Sequence, residues 1–260
     1  MAQDRPGIAV HTMSPVHRRG PVFYACLPRE TETPKDHGMN AGGARCRLVS
    51  ILWERLVTMG SPRGSWPPSS NRAALPIQVV RDPLGKPHLL LGECPGPAIS
   101  FSEGGGAVWA ALCGDESDIG IDVAEADDFQ GDYPFQRVFD ADELQHIVRL
   151  VEGSTEEAFA LLWSIKEAVV KALGSGFHLV EPRDIRVHPA RDESGEHIFP
   201  VCLSRKALER LPIGAGRSIW VRSVPKAKIW LSIALVNWRC RWDDGQRHRD
   251  SNAHGSAMRT

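Results

Sequence analysis

The stretch Ser154–Gly176, STEEAFALLWSIKEAVVKALGSG, decides how this sequence is read. Ser154 followed by Glu157 is a capping-box pattern, in which a hydroxyl and a carboxylate satisfy the free amides at a helix start. Gly174, directly after Leu173, supplies a left-handed stop. Between them Phe159, Leu162, Ile165, Val169 and Leu173 cover a broad apolar face, so the spacing predicts a helix over 155–173. Three charged residues, Lys166, Glu167 and Lys171, are set into it. Glu167 and Lys171 are four apart and share a face. As an exposed ion pair they would contribute only about 0.3–0.5 kcal/mol. Trp163, four residues before Glu167, lies on that same face. A face running Trp163, Glu167, Lys171 is neither simply solvated nor simply core, and it suits the wall of a cleft.

Upstream, Ile119-Gly120-Ile121-Asp122-Val123 reads as a strand with an aspartate among apolar neighbours. Such a carboxylate is costly unless it is paired or bound to a cation, or sits at a strand end capping a turn. If Asp122 faces Glu167, two hard oxygen donors converge, a set that suits magnesium better than zinc.

Working outward, strands are expected at 22–27, 77–81, 88–91, 99–102, 107–112, 119–124, 185–188, 199–203, 219–224 and 229–236. Helices are expected from about Arg45 to Gly60, where Val49, Leu52, Trp53 and Leu56 recur at helical spacing, and at 137–150, 155–173 and 204–211. Residues 28–44 and the Pro- and Ser-rich 61–70 read as loops. Separate helices and short strands without regular βαβ alternation argue an α+β fold. Residues 1–20 and 239–260 are polar and read as disordered.

Composition narrows the field. The 260 residues are 42% hydrophobic and 24% charged, with a formal net charge of −1, an ordinary globular balance. Nothing in it calls for wholesale binding to nucleic acid or an anionic membrane. Six cysteines lack a CxxC pair or zinc-ligand spacing and read as reduced. No apolar run approaches membrane-spanning length, and the first thirty residues lack the charged-then-apolar order of a signal peptide, so the chain reads as cytoplasmic.

Taken together, GIDVA (120–124), RVFDADEL (137–144) and WSIKEAVVKALGSG (163–176) resemble, in order and spacing, the signature of the 4′-phosphopantetheinyl transferase superfamily. Asp82-x-x-Gly85-Lys86-Pro87 resembles the family's Gly-Lys-Pro turn, and ISFSEGGGAVWAAL (99–112) its strand–turn–strand element. The resemblance covers roughly residues 22–238, and the length is similar to that of the long, single-chain Sfp-type branch. It implies two pseudo-symmetric α+β halves, 21–118 and 119–238, each a mainly antiparallel sheet packed with a long helix. It also implies a holo-[acyl-carrier-protein] synthase activity: phosphopantetheine moves from coenzyme A to a serine of an apo acyl or peptidyl carrier protein, and adenosine 3′,5′-bisphosphate leaves. A monomer is expected.

By the same resemblance Asp122 and Glu167 bind Mg²⁺, with Mn²⁺ as an alternative. Lys166 and Lys171 hold phosphates, and Lys171 also stabilises the leaving group. Glu143 is the family's acid, orienting water or the helix pair. Glu167 is the candidate general base. Lys86 reaches the nucleotide end of coenzyme A, unless it is a solvated turn lysine, and Ser102, Glu103 and Gly104 occupy the turn that helps hold its 3′-phosphate.

Two residues depart from the pattern. Ala124 stands where many long-branch members carry a glutamate, and period-two alternation puts it on the Asp122 face. Glu103 stands where a histidine is usual, and its carboxylate would repel phosphate unless it turns away or pairs with an Arg or Lys. The Gly104–Gly106 amides are then the candidate phosphate cradle. These departures motivate one alternative, a carrier-binding relative that has lost turnover. A more distant one, a serine hydrolase built on Ser102 in SFSEG, lacks the first glycine of the nucleophile elbow.

Overall fold

The computed structural model describes residues 8–13, 20–29, 40–59, 76–115, 117–130, 135–152, 154–193, 195–211 and 218–236. In chain order these form β1 (Val10–Met13), β2 (Val22–Pro28), α1 (Asn40–Thr58), β3 (Ile77–Arg81), β4 (Pro87–Leu91), β5 (Cys94–Gly104), β6 (Ala107–Cys113) and β7 (Asp118–Glu125). There follow α2 (Phe135–Val138), α3 (Ala141–Leu150), α4 (Thr155–Leu173), α5 (Gly176–Leu179), β8 (Ile185–Val187), β9 (Arg191–Glu193), β10 (Glu196–Leu203), α6 (Arg205–Arg210), β11 (Ile219–Lys226) and β12 (Ile229–Val236).

Two antiparallel sheets account for the strands. One runs β1-β2-β6-β5-β4-β3 and the other β7-β12-β11-β10-β8, with β9 paired to β10. Side-chain alternation builds the layers. Phe23 and Ala25 of β2 and Val108, Ala110 and Leu112 of β6 turn toward Leu48, Leu52, Trp53 and Leu56 of α1. Their neighbours Val22, Tyr24, Trp109 and Ala111 turn the other way and meet Ile119, Ile121, Val123, Leu231 and Ile233 of the second sheet. On that sheet's far face Ala124, Trp230 and Ala234 pack under α4. The order is helix, sheet, sheet, helix, an α+β sandwich. β6 and β12 are buried along their whole length because both faces are covered.

Strand β7 is the edge of its sheet, which would leave amides unpaired. β5 runs alongside and supplies side chains instead: the Ser100 hydroxyl accepts the Ile121 amide at 3.1 Å. The α4 bounds are those of the sequence pattern. Ser154 Oγ accepts the Glu157 amide at 3.3 Å, and Gly174 sits at φ 73°.

Three expectations are corrected. Residues 10–13, placed in a disordered terminus, form β1, where His11 stacks on Tyr24 with centroids 5.0 Å apart. The loop expected over 28–44 already contains the first turn of α1. The single helix expected over 137–150 is two, because Asp140 caps α3 by accepting the Asp142 amide at 3.0 Å while Glu143 reaches back to the Asp140 amide. That reciprocal cap is the capping-box pattern again, and it was there to be read in Asp140-x-x-Glu143.

The expectations for residues 1–7, 14–19, 61–70 and 239–260 lie outside the described residues, as does Cys240. Cys26, Cys46, Cys94, Cys113 and Cys202 are free thiols. Among the described residues no helix is long and apolar enough to cross a membrane.

Candidate active site

On β7 the odd positions face the first sheet, so Gly120, Asp122 and Ala124 face α4. Gly120 is required there. A Cβ at this position would fall 1.9 Å from the Ala168 carbonyl oxygen, so only glycine lets strand and helix approach this closely. That approach sets Asp122 against the α4 turns that carry Glu167 and Lys171.

Asp122 is 6% exposed, and its Oδ1 accepts from Lys171 Nζ at 2.6 Å and from Ser102 Oγ at 2.9 Å. Lys171 Nζ also reaches Ser102 Oγ at 3.2 Å. Burial pushes the Asp122 carboxyl above its ordinary pKa, outweighing the Lys171 charge and the hydrogen bonds that pull it down. Burial also raises Glu167, and the Asp122 charge raises it further against the opposing pull of Lys171. The Asp122 charge thus disfavours ionisation of Glu167.

Asp122, Ala124, Trp163, Glu167 and Lys171 line a cavity of about 390 Å³ together with Ser102, Glu103, Asp128 and Phe129. Glu167 and Lys171 also line a second cavity, of about 270 Å³, with Arg45, Arg81, Lys86 and Phe101. A buried carboxylate and a partly buried one beside a basic cavity are suited to a polyanion held through cations.

The donor set fits a hard divalent cation. Asp122 and Glu167 offer carboxylate oxygens, and each is driven toward its neutral form by burial, a cost that a bound cation would relieve. Among the described residues no group of three or more His, Cys, Asp or Glu is placed to hold a metal ion. The protein would thus supply two ligands and leave the others to water or substrate, the ordinary arrangement for magnesium.

Residues 118–210 match the family model of the 4′-phosphopantetheinyl transferase superfamily, ACPS. It is through this segment, about a third of the chain, that the protein is similar to that superfamily. The match spans β7 with Asp122 and the whole of α4. Among solved structures the chain is similar to the Chronobacterium ammoniagenes ACPS–CoA complex, with 20% identity and a TM-score of 0.38 over 48% of this chain and 98% of that one. It is also similar to Thermotoga maritima holo-[acyl-carrier-protein] synthase, with 19% identity and a TM-score of 0.33 over 47% of this chain and 64% of that one. No curated protein sequence matches it.

Two residues expected in the site, Lys166 and Glu143, lie elsewhere. Lys166, expected to hold phosphate, is fully buried on the side of α4 away from the cavity. Its ammonium donates to Glu143 Oε2 at 2.9 Å, to the Pro182 carbonyl at 2.8 Å and to the Ile185 carbonyl at 2.6 Å, which uses all three protons. Glu143, expected to be catalytic, is 4% exposed and accepts the Val187 amide at 2.6 Å besides Lys166. The pair ties α3, α4 and β8 together. Glu143 thus orients the helix pair and touches neither cavity lining.

Lys86 does line the basic cavity, though it is not a solvated turn lysine. Its ammonium donates to Asp118 Oδ1 at 2.6 Å and to the Ala172 carbonyl at 2.8 Å, joining the β3–β4 turn to β7 and α4. Of the expected glycine cradle, the Gly105 amide already donates to Glu125 Oε1 at 2.8 Å. Glu103 neither turns away nor stands bare: Arg29 and Arg45 both bond its carboxylate.

Ser102 lies within β5, and the turn after it leads into strand β6, not a helix, so the nucleophile-elbow reading fails. Sequence reasoning missed Arg29, Arg45 and Arg81. Arg81 directly precedes the Asp82–Pro87 turn, and that adjacency was the available signal. Asp128 and Phe129 were missed because they follow β7 in a short helical turn that no periodicity announces.

Proposed function

We propose that this chain transfers the 4′-phosphopantetheine group from coenzyme A to a serine of an apo carrier protein, releasing adenosine 3′,5′-bisphosphate, as a long, single-chain member of the superfamily. The observation that carries this reading is the convergence of Asp122, Glu167 and Lys171 on one cavity beside a basic one. The packing of a 19-residue helix on each of the two sheets supports the long-branch assignment.

Phosphoryl transfer chiefly requires positioning and neutralisation of charge on the phosphate oxygens. The carrier serine Oγ attacks the β-phosphorus of the coenzyme. The bond from that phosphorus to the bridging oxygen breaks, and the bisphosphate leaves with the electron pair. Glu167, which lines the cavity, takes the serine proton. Lys171 lines both cavities, so its ammonium is placed to meet charge on the leaving oxygen. Asp122 and Ser102 hold that ammonium in place. A divalent cation held by Asp122 and Glu167 would supply positive charge to offset that on the phosphate oxygens. Trp163 and Phe129 form the apolar wall of the larger cavity, with ring centroids 6.4 Å apart.

The test is the mass of the carrier. Incubation with coenzyme A, Mg²⁺ and apo carrier should add one phosphopantetheine group, and Asp122→Ala and Glu167→Ala should each abolish the gain. An unchanged carrier mass across fatty-acid, polyketide and peptide-synthetase carriers would favour a carrier-binding relative without turnover.

A further inference from the structure

Glu103 stands between the two cavities. It lines the larger one beside Ser102 and Asp122, while Arg45, which bonds its Oε1 at 2.7 Å, lines the smaller one with Arg81 and Lys86. Arg29 bonds its other oxygen. The turn that carries it is fixed from below, because Trp109 Nε1 donates to the Gly104 carbonyl at 3.0 Å.

Three guanidinium groups crowd this place. Burial, and after it the charges of Arg81 and Arg29, hold the Arg45 pKa below the ordinary value. The Nε of Arg45 is buried with no hydrogen-bond partner among the described residues. Clustered like charge and an unused donor mark a site for an anion. The anion that already meets Arg29 and Arg45 is the protein's own carboxylate.

We propose that Glu103 is a specificity-determining residue: it acts as an internal anion on Arg29 and Arg45, so the site discriminates only weakly between nucleotides that carry a second phosphate and those that do not. This rests on the transferase reading and adds to it which part of the nucleotide the chain neglects. Arginine forks take carboxylate and phosphate with the same geometry. A phosphate arriving here must therefore share or displace bonds already made, and it meets a negative charge beside them. Arg81, which gives one donor to the Gly85 carbonyl, and Lys86, with one ammonium proton left after Asp118 and the Ala172 carbonyl, line the same cavity for the phosphate common to both nucleotides.

The test is calorimetric titration of the full chain with adenosine 3′,5′-bisphosphate and with adenosine 5′-monophosphate, on wild type, Glu103→Gln, Arg45→Gln and the double variant. Glutamine matches glutamate in size at a side chain 29% exposed, so the fold should tolerate it. Glu103→Gln is expected to bind the bisphosphate about tenfold more tightly, about 1.4 kcal/mol, with less than about a twofold change for the monophosphate. The gain should vanish in the double variant, because it acts through Arg45.

An equal change for both nucleotides, no change for either, or a gain that survives removal of Arg45 would overturn the inference. The wild type gives a second reading that needs no variant. A preference for the bisphosphate below about fivefold supports the proposal, and one near a hundredfold, as two free arginines would give, overturns it. If neither nucleotide binds wild type or Glu103→Gln, the coenzyme reading itself fails, and this inference fails with it.

Discussion

Lys166 and Glu167 are consecutive in the chain and serve opposite sides of α4. The Lys166 ammonium is sealed against Glu143 at 2.9 Å, while the Glu167 carboxyl lines both cavities. Each residue of a helix is rotated by about 100° from the one before, so adjacent side chains cannot share a face. The consecutive Lys-Glu of this segment is thus one interior residue followed by one cavity-lining residue.

This makes the two lysines of the helix separable. Lys166→Met strands the Glu143 carboxylate in the interior and should destabilise the protein by about 3–5 kcal/mol in denaturant titration. Its affinity for adenosine 3′,5′-bisphosphate, measured on the folded fraction, should stay unchanged. Lys171→Met, at a side chain 30% exposed, should cost less stability, since the Asp122 carboxylate keeps its Ser102 hydrogen bond and can take up a proton, and it should lose transfer activity. A Lys166→Met protein of normal stability with weakened nucleotide binding would return Lys166 to the phosphate site.

Glu167 gives a dependence of stability on pH with a definite sign. Its carboxyl has a higher pKa folded than unfolded, so ionising it costs more in the folded state. The penalty is absent below the unfolded value of about 4.3, grows as pH rises, and is complete above the folded value. Glu167→Gln should therefore raise the melting temperature relative to wild type at about pH 8 and confer no gain at about pH 3. The variant should lose transfer activity, so stability and function pull in opposite directions at this residue. Equal melting temperatures for the two proteins across the range would show that Glu167 is not strained by its surroundings.

Divalent cations should report on the carboxylate pair without any turnover. Magnesium at a hundred times its dissociation constant stabilises a folded protein by about 2.7 kcal/mol. Wild type should show a melting shift of that origin, and neither Asp122→Asn nor Glu167→Gln should. A shift retained in both variants would place the cation somewhere else on the chain.

Gly120 tests the spacing between strand and helix. A Cβ there would meet the Ala168 carbonyl oxygen at 1.9 Å and the Ala172 amide nitrogen at 2.6 Å, both backbone atoms that cannot swing aside. Gly120→Ala should cost about 1–3 kcal/mol or more. It should also weaken the magnesium-induced shift, because Asp122 lies two residues along β7 and Glu167 adjoins Ala168. A variant as stable as wild type would mean that β7 and α4 are not held at this separation.

How much of this was legible beforehand differs residue by residue. The bounds of α4 follow from Ser154 and Gly174, because caps act on the nearest backbone amides and carbonyls. The shared face of Asp122 and Ala124 follows from the two-residue period of a strand, and that of Trp163, Glu167 and Lys171 from helical spacing. Lys166 was misplaced because α4 is covered on more than one side. A helix with twelve buried residues has no single exposed face to serve as a reference.

What the sequence alone determined was local: where helices and strands run, where they stop, and which residues stand on the same face. The tertiary structure decided which face meets which partner. Arg45 and Arg29 lie 58 and 74 residues from Glu103, and Val187 lies 44 from Glu143, separations over which no local periodicity carries information. Only the packing of two sheets and two long helices brings those charges together, since burial and charge pairing depend on neighbours in space and not on neighbours in the chain.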